Sequence, residues 1–202
     1  MPSIKVVPQE DTSRQGYELV QAAFGEGAPG ALQLVGPGAE IDKAVVLAKV
    51  DPGIARVMPA QQGAGGLVLV QAIPASDPSS PAVGATIDRL RDAVPTGVLV
   101  GGATAENHDL EQVLSEKTPL VVGVVLVLGF LLLLLALQAP VIAAVGVLTN
   151  LLAVGAAFGV ARLIFQNGSG AGLLRFESQG FIDAWGPVFF FAMIFAISMD
   201  YT

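Results

Sequence analysis

Cysteine is absent from the 202 residues, and histidine occurs once, at His108. The first absence excludes a disulfide framework and a thiolate metal centre; the second leaves His108 without another imidazole to complete a zinc site. Basic side chains are scarce as well, ten Lys and Arg against seventeen Asp and Glu, for a net charge of −7. An acidic surface attracts neither nucleic acid nor anionic lipid, so no nucleic-acid partner is expected. The stretch Met1 to Pro8 carries Lys5 but no apolar run. No signal peptide is expected there, and delivery across a membrane would depend on sequence elsewhere.

The most informative shortage is of charge along the second half. Only Arg162, Arg175, Glu177, Asp183 and Asp200 fall in the last 85 positions, and none lies from Thr118 to Ala161. A helix needs roughly 20 apolar residues to cross the hydrocarbon core. The uncharged stretch of 44 positions therefore holds two spans. The break is expected at Gln138-Ala139-Pro140, where a polar residue meets a helix-ending proline. The spans are then Pro119 to Leu137 and Pro140 to about Phe165 (119–137 and 140–165). Leu and Val cover every face of the first, which argues against a buried hairpin in a soluble protein. Gln166 to Gly180 reads as a polar loop or a re-entry segment. A third apolar stretch, Ala184 to Met199, is opened by Trp185 at headgroup level and Pro187 in the first turn. It predicts a helix over 183–202, truncated at Asp200-Tyr201-Thr202. Loop Lys and Arg are too few to fix orientation.

Residues 1–117 are of another kind, with eight basic and fourteen acidic groups and enough length for a core of their own. Short Val- and Leu-rich runs at Gly30 to Val35, Ile54 to Met58, Gly66 to Ile73 and Gly97 to Val100 predict strands. Between them, Ile41, Ala44, Val45 and Ala48, then Val83, Ile87 and Leu90, recur at helical spacing. The order is βαββαβ, an α+β, ferredoxin-like split βαβ unit with two helices on one face of a four-stranded sheet. A further helix, capped by Thr12 or Ser13 and running to Phe24, is expected to pack beside it. Asp109 to Lys117 reads as a helical lead into the first span. The expected domains are thus 1–117, facing water, and 118–202, an all-α membrane bundle of three helices.

No catalytic, cofactor-binding or metal-binding constellation stands out, so no enzyme is expected. His108 reads as a surface bystander. Gly101-Gly102-Ala103-Thr104 lacks the lysine and spacing of a phosphate-binding loop and reads as a tight turn. Asp200 is the conspicuous residue. An ionised carboxylate in hydrocarbon is costly, so an intramembrane Asp normally faces protein or water and marks a proton or ion path. The alternative is an Asp at the membrane edge, solvated or capping. Tyr201 is either an interfacial belt residue or a hydrogen-bond donor to Asp200. Asn150 sits among the small residues Gly146, Ala153, Ala157 and Ala161 and reads first as a packing contact between helices.

Four stretches together carry a resemblance: Val100-Gly101-Gly102-Ala103-Thr104-Ala105 with Asp109-Leu110; Leu148-Thr149-Asn150-Leu151-Leu152-Ala153-Val154-Gly155-Ala156-Ala157-Phe158-Gly159; Phe165-Gln166-Asn167-Gly168; and Phe195-Ala196-Ile197-Ser198-Met199-Asp200-Tyr201. The chain resembles the MmpL branch of the resistance-nodulation-division (RND) transporters, and the last stretch resembles the second half of such a protein. The resemblance implies an extracytoplasmic porter domain, followed by the eighth to tenth of about twelve helices. It also implies a multi-pass protein of the bacterial plasma (inner) membrane. Asp200 and Tyr201 match one of the family's Asp-Tyr pairs, which relay protons that drive export of lipids, hydrophobic compounds or drugs. The implied partners are the bilayer, the remaining helices, a hydrophobic or lipid substrate, and protons. Another class stays open, a membrane-anchored binding or assembly module without transport; Asp200 discriminates, because an anchor has no use for a membrane carboxylate.

Overall fold

The computed structural model describes residue 4, residues 7–169 and the helix Trp185–Asp200, the last by backbone alone at 185, 187 and 195–200. The chain divides into two compact units, 1–110 and 111–202.

In the first unit the elements run α1 (Thr12–Phe24), β1 (Leu32–Pro37), α2 (Gly38–Val50), β2 (Ile54–Val57), β3 (Gln61–Gln62), β4 (Leu67–Pro74), α3 (Pro81–Ala93) and β5 (Leu99–Gly101). The sheet order is β2-β4-β1-β5, with β3 added on β4, and every described pairing is antiparallel. Alternation explains why β1 sits at the centre. Leu32, Leu34 and Gly36 point into the core, while Gln33, Val35 and Pro37 point the other way. Leu34 pairs with Val70 on one side and Val100 on the other, so the buried positions of three strands fall in one row. Ile41, Ala44 and Ala48 of α2, and Val83, Ile87 and Leu90 of α3, complete that core. Full burial of each large side chain contributes about 1.5 to 3 kcal/mol.

The fifth strand is a departure from the expected four. β3 is two exposed glutamines, too short and too polar to carry an alternating signal, and it pairs with β4 because Gly65 and Gly66 take positive φ in the turn that connects them. The tight turn after β5 is as expected. Gly102 has φ 100°, a Cβ there would lie 3.1 Å from the Ala31 carbonyl oxygen, and Thr104 Oγ1 donates to the Gly30 carbonyl at 3.0 Å.

α1 departs further. None of its residues is buried, and Leu19, Val20 and Phe24 are exposed, so its apolar residues do not pack on the sheet. The N-cap is Asp11, not Thr12 or Ser13. Polar contacts hold the helix instead: Tyr17 Oη and Gln21 Nε2 donate to Asp77 Oδ2 at 3.3 and 2.8 Å. Ser79 donates to Asp77 Oδ1 through its amide at 2.9 Å and its hydroxyl at 2.5 Å.

Burial pushes the Asp77 carboxyl upward, but the bonds from Ser79, Gln21 and Tyr17 outweigh it and hold it below the usual carboxylate range. Burial first, then the charge of Asp77 and the bond to it, pushes the Tyr17 phenol up. A depressed carboxyl stabilises only above its unfolded value, and a raised phenol only below its own. α1 docking is therefore complete between about pH 4 and pH 10 and is lost as pH falls below or rises above that window. Hydrogen exchange of the complete protein checks this: α1 amides will lose protection on acidification before those of α2 and α3. Asp77→Ala will loosen α1 at neutral pH by about 1 kcal/mol, allowing for solvent screening.

α4 (Ala103–Leu137) begins in the first unit and runs on into the second as one helix of 35 residues. The lead at 109–117 and the span at 119–137 are thus not separate pieces. Pro119 lies inside α4, where it has no N–H for the Ser115 carbonyl. Thr118 Oγ1 donates to the Leu114 carbonyl one turn earlier. α5 (Pro140–Ala161) continues through a π turn, Arg162–Gln166. The break between α4 and α5 falls where expected: Gln138 takes φ 49°, Ala139 is extended, and Pro140 starts the next helix. Both helices are long and apolar enough to cross a membrane. α6 (Trp185–Asp200) has 16 residues. The expected ends of this third helix, at 183, 184, 201 and 202, and the loop positions 170–180, lie outside the described residues.

Candidate proton-relay site

The second unit presents one buried stripe on α5: Ala143, Asn150 and Val154, with Val147 and Phe158 half-buried beside them. These positions recur at i, i+4, i+7, i+11 and i+15, one face of a helix. Val154 packs against Phe191 of α6, and Val122, Val125 and Leu126 of α4, together with Ile194, close around that contact. Phe189 and Phe190 meet edge to face with centroids 5.7 Å apart.

Asp200 is the last residue of α6 and the only charged residue in it. It lies nine residues beyond Phe191. At 3.6 residues per turn this is two and a half turns, so position 200 falls on the side of α6 opposite Phe191. Phe189 and Met193 share that side and are exposed. The edge of α6 carrying Phe191 and Ile194 meets α4 and α5. Tyr201, the other residue singled out in the sequence, lies outside the described residues.

Three pairs of titratable groups tie elements of the first unit together. Arg89 donates to Asp51 through Nε at 3.0 Å and Nη2 at 2.9 Å, and the Gly53 amide donates to Asp51 at 2.7 Å. The Arg89 bonds, against the effect of burial, hold the Asp51 carboxyl below its ordinary range. Arg91 makes a two-pronged pair with Asp109 and also donates to the Val100 carbonyl at 3.2 Å, tying α3 to β5 and the start of α4. The Arg91 bonds likewise lower the Asp109 carboxyl. His108 is 2.9 Å from Asp88 and packs on Gly84, where a Cβ would come within 2.7 Å of its ring. His108 thus fastens α4 to α3 and is no bystander. Sequence reasoning missed these pairs because their members stand 18 to 38 residues apart, with no periodicity linking them. Among the described residues no group of three His, Cys, Asp or Glu could hold a metal ion.

An acidic α+β unit followed by two helices long and apolar enough to cross a membrane defines a class of membrane protein with a folded domain beside its spans. Residues 60–202 match the MMPL family. The chain is 32% identical, over 93% of its length, to the heme uptake protein MmpL11 of Mycobacterium tuberculosis. It is 34% identical over 66% of its length to the mycolic acid-containing lipids exporter MmpL11 of Mycolicibacterium smegmatis. Similarity to the membrane protein YdfJ of Bacillus subtilis runs over the whole chain at 23% identity. The chain belongs to the MMPL family. It spans 21%, 14% and 29% of those three relatives' lengths.

Proposed function

We propose that this chain is part of a secondary transporter driven by the proton-motive force, which exports lipids or other hydrophobic compounds and carries its coupling proton on Asp200. The observation that carries the reading is a single aspartate at the end of an otherwise uncharged apolar helix, in a chain of the MMPL family. In hydrocarbon such a carboxylate is stable only against protein or water, and it can load and release a proton there. Tyr201 follows it directly in the sequence and would supply a phenol able to donate a hydrogen bond to the carboxylate. Similarity to relatives named for transport, lipid export and heme uptake favours a large apolar or amphiphilic cargo. The βαββαβ order and the β2-β4-β1-β5 sheet favour a ferredoxin-like porter subdomain in the first unit. That unit lies outside the cytoplasm, and α4, α5 and α6 are three of the spans of a multi-pass protein in the bacterial plasma membrane.

Topology is open to a direct check, because the chain has no cysteine of its own. Cysteines placed at the exposed Gln62 or at Ser79 of the complete protein will react with an impermeant thiol reagent on intact cells. Labelling only after lysis would put the first unit in the cytoplasm. The functional test is export under an imposed pH gradient: the complete protein will follow the gradient, and Asp200→Asn will not.

A further inference from the structure

Asn150 is the only polar side chain counted as buried among the described residues of 111–202, at 6% exposure. It stands ten residues into α5, about 15 Å along the axis, half of a hydrocarbon core about 30 Å thick. An amide at that depth is costly unless its hydrogen bonds are made, and hydrogen bonds are directional. The cluster next to it on the same stripe is apolar: Val122, Val125 and Leu126 of α4, Val147, Val154 and Phe158 of α5, Phe191 and Ile194 of α6. Contacts of that kind hold helices together without fixing how they are turned, since lipid tails are as apolar as the side chains and only close packing distinguishes one setting from another. A slip of one residue would turn α6 by about 100° and move it about 1.5 Å. Such a slip would exchange Phe191 for a similar apolar neighbour, but it would turn position 200 by the same angle relative to α5.

We propose that Asn150 is a positioning residue for the proton step: its amide fixes the rotation and register of α6 against α5, and through them the setting of Asp200. A single buried asparagine sets register in coiled coils by the same physics, directional bonds placed within a non-directional interface. Asn150 is one turn from Val154 and one turn from Val147 on the stripe that faces the α4 and α6 contacts, so the amide lies within the packed interface and not at its rim. The inference rests on the reading of Asp200 as the proton carrier.

The test uses the complete transporter in membranes and a hydrophobic carbodiimide, which modifies protonated carboxyl groups within the bilayer. Labelling of Asp200 is followed against pH, with Asp200→Asn as background. Asn150→Leu, close in size but without the amide, will move the midpoint of labelling by about half a pH unit or more. It will lower maximal export about tenfold while the substrate concentration at half-maximal export stays within about twofold, a loss confined to the turnover step. Asn150→Gln, which keeps the amide, will recover most of both. If the leucine variant is missing from the membrane, Asn150→Ala is read for the same two quantities. An unchanged labelling midpoint with unchanged export, at normal abundance, would overturn the positioning role and leave Asn150 as packing alone. Failure of the underlying reading looks different: Asp200→Asn itself would export normally, whatever Asn150 does.

Discussion

Leu34→Ala will unfold much of the first unit's protection against hydrogen exchange, although it removes only one side chain. Leu34 is fully buried on the central strand, aligned with Val70 and Val100 and covered by residues of α2 and α3. Removing a core leucine forfeits its transfer free energy and leaves a cavity that a β-sheet centre cannot collapse to fill; the usual cost is about 2 to 5 kcal/mol. Amides of β4 and β5 that open only with the whole unit will therefore exchange faster by about 30-fold or more. Leu67 gives the matched control. It lies on the same sheet opposite Pro37, on the outward face, and is half exposed. Leu67→Ala will stay within about 0.5 kcal/mol of the parent. Equal effects of the two substitutions would mean that the outward face of the sheet is covered in the complete protein.

Much of this architecture is legible in the sequence because two periodicities dominate it. The Val- and Leu-rich run from Gly30 to Val35 places β1 within two residues of its observed ends, and the spacing of Ile41, Ala44 and Ala48 gives the buried face of α2. Proline and glycine mark most of the boundaries: Pro81 opens α3, Gly102 turns β5 into α4, Pro140 opens α5. What escapes the sequence is whatever depends on distant partners. α1 looks amphipathic, yet a carboxylate 60 residues away holds it and its apolar residues stay exposed. Pro119 looks like a helix boundary, yet α4 continues through it. A proline removes one hydrogen bond, and 16 residues of preceding helix compensate for that loss. In the candidate site, Asp200 is visible because charge is rare around it. Asn150 is visible in the sequence as one polar residue among small ones, but its burial at the junction of the helices is not.

Asp200→Asn carries the other large effect. The amide keeps the size of the side chain and much of its hydrogen bonding, so the helices will still assemble, but it cannot exchange a proton. Movement of one charge through the membrane potential is worth about 2.3 kcal/mol per 100 mV, and a carrier without a titrating group has no way to use it. Tyr201→Phe removes one hydroxyl; the hydrogen bond to the carboxylate proposed for it would contribute roughly 1.5 to 3 kcal/mol. Export by Tyr201→Phe will be slowed about tenfold to a hundredfold without being abolished. An anchored binding module would respond to neither change.

The decisive measurement is export of substrate by the complete transporter in sealed vesicles, driven by an imposed pH gradient, with the abundance of each protein determined in the same membranes. Proton coupling through Asp200 predicts gradient-dependent export by the parent protein and none by Asp200→Asn at equal abundance; full gradient-driven export by Asp200→Asn would contradict it.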